Sequence, residues 1–325
     1  MSFELFDDIR SRAGTTPKRI VFTRTQTPGV LEAAEQIRRS GIAVPILLGN
    51  PEDIEDDARR RGVALTKMVI CGHNGAQIEK YVRPSLDRWR ARGIGESEAR
   101  RRLADSDELA VAMILGGDAD GVVAGPLASV SSSVPRVVVA AGPAQGCSVM
   151  AESYIVVCAS AWRGVLVVNS LTHVDLSATE LAELALGAAR NTQCLLELDP
   201  HVALLSLTAL ASLEPRRRHQ SASDALDQKI WDAAQTVRAR DETVQMESQP
   251  KTHLKCGSGL PNILVFSELQ AGNFRYRLEQ EFEGGRVVGP IVQGAGLPVN
   301  QIPAGASVDD IIDTAALTAL IANGQ

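Results

Sequence analysis

The sequence is poor in aromatic residues and has no concentration of positive charge. Phe, Trp and Tyr make up 4% of the 325 residues, and the formal net charge is −6. A protein that binds a nucleic-acid backbone needs a broad basic surface, so this composition excludes nucleic acid as a partner. Small anionic ligands need only a local group of cations and are not excluded.

Long apolar segments and paired cysteines are also missing. No apolar run approaches the ~18 residues of a membrane-spanning helix, and the first residues are too charged for a signal peptide. The cysteines are odd in number, widely spaced and without a Cys-x-x-Cys pair, which is typical of reduced thiols. We therefore predict a cytoplasmic protein without a membrane partner and without a metal site. The cysteines are Cys71, Cys147, Cys158, Cys194 and Cys256.

What the sequence does contain is a repeated alternation of apolar strands with amphipathic helices. Apolar runs begin at Ile20, Val44 and Met68, and a helical pattern covers residues 30–37. Such strand–helix–strand units predict an α/β fold with a mainly parallel sheet covered by helices on both faces. A chain of 325 residues exceeds the usual size of one hydrophobic core, so two domains are expected. The composition changes at residues 142–146, where we place the first boundary.

Three helix starts can be assigned from capping signals. Thr27 followed by Pro28 predicts a cap with proline at the first helical position. Residues 177–180 and 307–310 each spell a capping box, in which the first and fourth residues satisfy each other's backbone N–H groups. Residues 84–116 are predicted to be helical and strongly charged, which is typical of a solvated face.

Four short motifs carry the most specific signal. The turn Gly117–Gly121 contains Asp118 and Asp120 and opens the apolar run Val122–Gly125, an arrangement that predicts the wall of a ligand cleft. Together with three later motifs it resembles the phosphate acetyltransferase and phosphate butyryltransferase family, from about Arg19 to the C-terminus. The later motifs are Glu268–Asn273, Gly289–Gly294 and Leu297–Asn300.

The resemblance implies two α/β/α sandwich domains with an interdomain cleft, the usual place for a small ligand. Domain one would comprise residues 1–143 plus 296–325, because the last helix returns to it, and domain two residues 144–295. The resemblance further implies a homodimer formed through the second domain, coenzyme A or acyl-CoA as a substrate, a small acceptor, and no permanently bound cofactor. Family enzymes move an acyl group between the sulfur of coenzyme A and a phosphate oxygen, so we expect an acyltransferase.

The same resemblance assigns site residues. Asp310 matches the carboxylate that is proposed to take the thiol proton, although its capping box with Ser307 would also explain this residue. Glycines let a backbone approach a ligand closely and amides both donate and accept, which favours binding roles at the retained positions. The predicted substrate-binding and CoA-binding residues are Asp118, Asp120, Ser129, Arg136, Asn273, Gln293, Gly294, Asn300 and Ser307.

Several polar positions of the family are apolar in this chain. An adjacent serine and arginine are expected before the last helix, but the sequence reads Pro303 and Ala304, and Leu297 replaces a lysine. Each lost cation next to a buried anion is expected to cost about 1.5–3 kcal/mol. This interpretation makes phosphate a poor acceptor. The family's histidine and arginine after the 117–121 turn are replaced by Ala128 and Pro135.

Three functions are consistent with these residues. The first is an acyltransferase that uses coenzyme A and a small acceptor other than phosphate. The second is a genuine phosphate acetyl- or butyryltransferase in which Arg136, Arg88 or Arg90 replaces the missing arginine. The third is a non-catalytic acyl-CoA-binding sensor or partner protein. Residues for which a structural or surface role is favoured over chemistry are His173, Cys147, Cys158 and Arg216–Arg218.

Overall fold

The chain forms two compact units. The first domain comprises Phe6–Gly142 and Ala295–Gln325, and the second comprises Pro143–Gly294 together with the start of the chain up to Leu5. The computed structural model describes residues 3–90, 93–126, 134–157, 164–173, 175–205, 220–247, 261–267, 275, 278–279, 282 and 285–324.

The first domain is built on a five-stranded sheet with helices around it. Its strands are β1 (Arg19–Phe22), β2 (Val44–Leu48), β3 (Val69–Cys71), β4 (Gly121–Ala124) and β11 (Val299–Gln301). Its helices are α1 (Phe3–Thr15, which belongs to this domain from Phe6 onward), α2 (Val30–Arg39), α3 (Pro51–Arg61), α4 (Gly75–Trp89), α5 (Glu96–Arg102), α6 (Ser106–Leu115), α7 (Arg136–Ala141) and α10 (Val308–Asn323). The strand order is β11-β4-β1-β2-β3, and every neighbouring pair is parallel.

The last helix, α10, lies in the core of the first domain. Its residues from Ile311 to Leu320 are buried, and it contacts α2, β4, β1 and β11. The helix approaches β4 so closely that a Cβ on Gly121 would lie 2.7 Å from Cγ2 of Thr318. In the same interface, Nδ2 of Asn300 donates a 2.8 Å hydrogen bond to Oγ1 of Thr318.

The start of α2 differs from the prediction. The cap residue is Gly29, with φ +85° and no side-chain cap hydrogen bond, so Pro28 stands before the helix instead of at its first position. A Cβ on Gly29 would lie 3.3 Å from Cδ1 of Ile311 and 3.4 Å from Cγ2 of Val308. The left-handed backbone at this position favours glycine, and α10 leaves little room there for a side chain. Neither feature is visible in the local sequence.

The second domain contains a six-stranded mixed sheet. Its strands are β5 (Ala151–Val157), β6 (Gly164–Ser170), β7 (His201–Leu205), β8 (Gln245–Met246), β9 (Ile263–Phe266) and β10 (Arg286–Gln293). Its helices are α8 (Ala178–Asn191), which continues into a π-helical turn over Thr192–Leu196, and α9 (Gln220–Arg240). In the order β10-β5-β6-β9-β7-β8, the first two pairs are antiparallel and the remaining three are parallel.

The α/β class and the mostly parallel pairing predicted from the sequence are confirmed by these two sheets. Both predicted capping boxes are present, at the starts of α8 and α10. The charged segment 84–116 comprises the end of α4, the short α5, and α6. It also contains Trp89, whose side chain is fully buried. Among the described residues, no helix is long and apolar enough to span a membrane.

Candidate functional site

The carboxyl ends of β1 and β4 define the most distinctive edge of the first domain. From β1 the chain proceeds on one side to β2 and β3, whereas β4 and β11 lie on the other side of β1. The topology therefore reverses between β1 and β4. In open parallel sheets ligands bind outside the carboxyl ends of the strands at such a switch point. We call this place the carboxyl edge.

Thr23 and Arg24 follow β1 directly and meet the first turn of α6. Oγ1 of Thr23 donates a 2.6 Å hydrogen bond to Oδ1 of Asp107, and Nη2 of Arg24 lies 3.8 Å from Oδ2 of the same carboxylate. Burial raises the pKa of the Asp107 carboxyl, while the hydrogen bond from Thr23 and the charge of Arg24 act to lower it. One hydroxyl and one cation thus hold a buried acid at the carboxyl edge.

A second arginine faces the same helix start. Arg136, the first residue of α7, donates a 3.0 Å hydrogen bond from Nη1 to Oδ2 of Asp105. Asp105 also caps α6, since its Oδ1 accepts from the backbone N–H groups of Asp107 and Glu108. Burial raises the pKa of Glu108 as well. At the start of α6, Asp107 is therefore faced by Arg24 and Asp105 by Arg136, while Oε2 of Glu108 lies 3.7 Å from Nη1 of Arg102.

The loop from β11 to α10 also lies at the carboxyl edge, and it contains Pro303 and Ala304. Pro303 is partly exposed and Ala304 is exposed, so these positions face solvent with no cation or hydroxyl. The loop ends at Ser307, whose Oγ accepts a 3.1 Å hydrogen bond from the N–H of Asp310. In return, Oδ2 of Asp310 accepts a 3.1 Å hydrogen bond from the N–H of Ser307. The predicted base is thus a member of the helix cap at this edge.

Asp118 and Asp120 lie at the opposite end of β4, the amino edge of the sheet. Oδ2 of Asp118 accepts hydrogen bonds from Lys80 and Tyr81, and both lower the pKa of this carboxyl. Burial and the hydrogen bond to Asp118 raise the pKa of Tyr81 to about 12, although Lys80 acts to lower it. Asp120 accepts from the backbone N–H, Nε and Nη2 of Arg19, and this pairing lowers its pKa. Protein partners account for both aspartates without a ligand.

The two edges are well separated. Leu297 precedes β11 and Ala304 follows it, so the two replaced cation positions lie at opposite ends of that strand. Thr318, which contacts Gly121 at the amino edge, stands ten residues after Val308. Ten residues of α-helix span about 15 Å. The structure therefore does not bring Leu297, or the acids of the 117–121 turn, together with the start of α10.

The predicted ligand Gln293 is tied into the second domain at both ends of its amide. Its Nε2 donates a 2.9 Å hydrogen bond to the carbonyl of Leu184, and its Oε1 accepts from Ser153 and Asn191, each at 3.4 Å. Gly187 makes room for it, because a Cβ there would lie 2.5 Å from Nε2. The side chain is buried, and these contacts account for the amide.

Gly294 and Asn300 also have structural explanations. Gly294 has φ +79°, and a Cβ would lie 2.7 Å from the carbonyl oxygen of Val149. Its own carbonyl accepts a 2.8 Å hydrogen bond from the N–H of Ala144. Asn300 is fully buried in the contact with α10 described above. Of the predicted binding residues that the structure describes, Arg136 and Ser307 are the ones at the carboxyl edge, with Asp310.

The other candidates that the structure describes have protein neighbours of their own. Arg88 donates to the carbonyl of Ala141 at the end of α7, and Arg90 lies 4.0 Å from Asp87 on the surface of α4. Oγ1 of Thr172 lies 3.0 Å from Nδ1 of His173. Burial raises the pKa of the Cys147 thiol, which makes it a poor nucleophile. Predicted positions that lie outside the described residues are Ser129, Asn273, Ala128, Cys158 and Arg216–Arg218.

In the described ranges, no group of three or more His, Cys, Asp or Glu side chains is arranged to hold a metal ion. Sequence reasoning missed Arg24 at this edge, together with the acidic residues Asp105 and Asp107. The position of Arg24 directly after an apolar strand, in the first strand–helix unit of a parallel sheet, is the signal that could have found it.

Comparison with known proteins identifies the family. The family model described as "Phosphate acetyl/butaryl transferase" matches residues 4–319. A phosphate acetyltransferase of Acetivibrio thermocellus is 28% identical over 340 aligned residues, covering 98% of each chain. One from Thermoanaerobacterium thermosaccharolyticum is 29% identical and covers 97% of this chain and 98% of its own.

The fold comparison gives the same result. The crystal structure of a phosphotransacetylase from Streptococcus pyogenes superimposes with a TM-score of 0.82 at 23% identity and covers 99% of both chains. At 23% identity the structural similarity establishes the fold alone, and the match to the family model establishes the family. The chain belongs to the phosphate acetyl/butyryl transferase family and is an acyltransferase.

Proposed function

We propose that this protein transfers an acyl group between coenzyme A and inorganic phosphate. One observation carries the proposal: Arg136, paired with Asp105, lies at the same carboxyl edge as the start of α10. The family's serine and arginine at positions 303 and 304 are missing, but a cation is available at that edge. Of the functions considered from the sequence, this is the phosphate acyltransferase with a relocated arginine.

The proposed chemistry is direct transfer between the two bound substrates. A phosphate oxygen attacks the carbonyl carbon of the thioester, the C–S bond breaks, and coenzyme A leaves as the thiolate. In the reverse direction Asp310 takes the proton of the thiol, which has an ordinary pKa near ~8.5 and needs only modest assistance. Arg136 offers a charged guanidinium to the phosphate, because a planar fork of N–H donors matches phosphate oxygens well.

The replaced positions favour a second candidate. Ala304 is exposed at the carboxyl edge with only a methyl group, and Pro303 beside it has neither a hydroxyl nor an N–H. Such a loop is better suited to a neutral acceptor or a bulky acyl group than to a second anion. Acyl transfer from coenzyme A to a neutral acceptor is therefore the alternative that must be tested against phosphate transfer.

The test combines substrates with a matched pair of variants. The protein is incubated with acetyl-CoA or butyryl-CoA, with and without phosphate, while thiol release is followed and products are identified by mass spectrometry. We expect phosphate-dependent release of thiol and formation of an acyl phosphate. Arg136→Ala should raise KM for phosphate by about 10-fold or more, the value of a charged hydrogen bond. Arg101→Ala, at another exposed arginine that is paired with a glutamate, should leave KM unchanged.

Other outcomes have defined meanings. Phosphate-independent thiol release with a different acylated product would replace the proposal with the neutral-acceptor alternative. Saturable binding of acyl-CoA without turnover would leave a sensor that has kept the family scaffold.

The domain limits at residues 143–144 and 295–296, the homodimer and the cytoplasmic location remain proposals from the family resemblance. Light scattering of the purified protein tests the homodimer.

A further inference from the structure

Arg24 occupies the switch point between β1 and β4, the place in the first domain where a ligand is expected. Its guanidinium forms an ion pair with Asp107, and the pair Arg136 and Asp105 faces the same start of α6. The side chain of Arg24 is 44% exposed although the last three residues of β1, shortly before it, are buried. A cation is therefore presented to solvent at the end of the strand.

The backbone opposite Arg24 is shaped to hold its stem. A Cβ on Gly125, the residue that follows β4, would overlap Cβ and Cγ of Arg24. The arginine stem thus lies directly across the bare backbone at position 125, which holds the start of the side chain in one place. The first bonds of a long, flexible side chain are ordered in the folded protein, so less entropy is lost when its guanidinium binds a ligand.

The contact with Asp107 leaves the guanidinium donors available. The separation of 3.8 Å between Nη2 and Oδ2 is an ion pair without a hydrogen bond, whereas Oδ1 accepts the short hydrogen bond from Thr23. Throughout the described part of the chain, the Arg24 guanidinium donates no hydrogen bond. Asp107 consequently orients the cation by its charge without using the N–H groups that could hold an anion.

We propose that Arg24 binds a phosphate group of a substrate at the β1–β4 switch, beside Arg136. The proposal rests on the proposed function, since it assigns a second cation to the same reaction. The guanidinium fork pairs with two phosphate oxygens, and the carboxylate of Asp107 holds the opposite side of the cation. The phosphate group belongs either to inorganic phosphate or to coenzyme A, and these two sources are separated by kinetics.

The experiment uses a double-mutant cycle on the full-length protein. Arg24→Gln removes the charge but keeps a polar stem over Gly125, and Asp107→Asn removes the charge of its partner. If Arg24 binds phosphate, R24Q raises KM for the bound substrate by about 10- to 100-fold, and R24Q/D107N stays equally impaired. If Arg24 only neutralises Asp107, the double variant recovers the wild-type KM, and the proposal is overturned. Should R24Q fail to fold, the double variant, which buries no unpaired charge, carries the test.

KM is measured separately for phosphate at saturating acetyl-CoA and for acetyl-CoA at saturating phosphate. A rise confined to phosphate assigns Arg24 to the acceptor, and a rise confined to acetyl-CoA assigns it to the phosphates of coenzyme A. No rise in either overturns the proposal. If the wild-type protein makes no acyl phosphate, the proposed function fails first. Calorimetric titration of wild type and R24Q with inorganic phosphate and with coenzyme A then still decides, because equal affinities for both ligands would exclude Arg24 as their binding residue.

Discussion

The hydroxyl of Thr23 and the carboxylate of Asp107 are joined by a 2.6 Å hydrogen bond at the carboxyl edge of the first sheet. Burial raises the pKa of Asp107 despite that bond and despite Arg24. At the amino edge the guanidinium of Arg19 lowers the pKa of Asp120. Two aspartates of one domain are therefore shifted in opposite directions, and their contributions to stability have opposite dependences on pH.

The first prediction compares Asp107→Asn with Asp120→Asn. Because the pKa of Asp107 is raised on folding, the folded state binds its proton more tightly than the unfolded state. Its contribution to the free energy of unfolding therefore increases as the pH falls from the raised pKa of the folded state toward the ordinary aspartate pKa. The pKa of Asp120 is lowered on folding. Its contribution to the free energy of unfolding is therefore present above the ordinary aspartate pKa, and it is lost as the pH falls toward the lowered pKa of the folded state.

Urea unfolding at about pH 7 and about pH 4, near the ordinary aspartate pKa, measures both effects. On acidification the wild type should gain stability relative to D107N and lose it relative to D120N. At neutral pH, D120N should cost about 1–2 kcal/mol, because three hydrogen bonds to a partly exposed arginine are weakened by solvent. Parallel responses of the two variants to pH would contradict the assigned shifts.

The second prediction concerns the glycine on which Arg24 lies. Gly125→Ala places a methyl group where Cβ and Cγ of Arg24 now are, so the arginine stem must leave its position. If Arg24 binds a substrate phosphate, G125A should raise the same KM that R24Q raises, with a smaller effect on kcat. Steady-state kinetics with acetyl-CoA and phosphate provide the measurement.

A matched control separates this effect from the general cost of replacing glycine. Gly75 begins α4, and a Cβ there would meet nothing within 4 Å. Gly75→Ala should leave both KM values and the melting temperature close to those of wild type. A normal KM in G125A, with folding intact, would mean that the orientation of Arg24 has no effect on substrate binding.

The sequence predicted the elements of this fold better than it predicted which residues meet. Alternating apolar runs were enough to find β1, β2 and β4, and a short capping signal was enough to find the start of α10. The hydrogen bond from the Arg19 N–H to Asp120 joins positions 101 residues apart, and it depends on β1 lying beside β4. Such a register is decided by the packed sheet and not by the local pattern.

The same limit explains the site residues. An aspartate in a glycine-rich turn has the same local signal whether it faces a ligand or an arginine of the next strand, and only strand order distinguishes the two. Gly125 is an ordinary turn residue in sequence, yet in the structure its backbone packs directly against the side chain of Arg24. The positions 303 and 304 could be placed before the last helix because they are only a few residues from its cap.

The third prediction tests whether Gln293 is structural. Gln293→Met keeps the volume of the side chain but removes the donor to Leu184 and the acceptor for Ser153 and Asn191. Polar groups left unpaired in the interior should lower the free energy of unfolding by about 1–3 kcal/mol. KM for acetyl-CoA should not change. Gln228→Met on α9 is the surface control, because its exposed amide donates to Asp232 of the same helix, and it should alter stability by less than about 0.5 kcal/mol. A rise in KM for acetyl-CoA in Q293M, without loss of stability, would instead support the ligand role predicted from the sequence.

The fourth prediction separates the two roles that Asp310 can have. Its capping box with Ser307 has a counterpart at the start of α8, where Ser177 and Glu180 exchange the same two hydrogen bonds. Ser307→Ala and Ser177→Ala remove the equivalent hydroxyl and should each cost about 1 kcal/mol of stability. These two variants calibrate the contribution of a cap in each domain.

Asp310→Asn and Glu180→Gln then remove the charge but keep an oxygen that can accept from the cap N–H. Both substitutions should lower the free energy of unfolding by a similar amount, because an acidic group near a helix N-terminus contributes about 0.3–1 kcal/mol. Only Asp310→Asn should lower kcat in the direction that consumes the coenzyme A thiol, by roughly 100-fold or more for loss of a general base. Raising the pH should reduce the difference in kcat between Asp310→Asn and the wild type, because more of the thiol is then ionised without a base. If D310N and E180Q retain the same kcat, Asp310 is a cap and nothing more, and the base must be sought at another residue of the carboxyl edge.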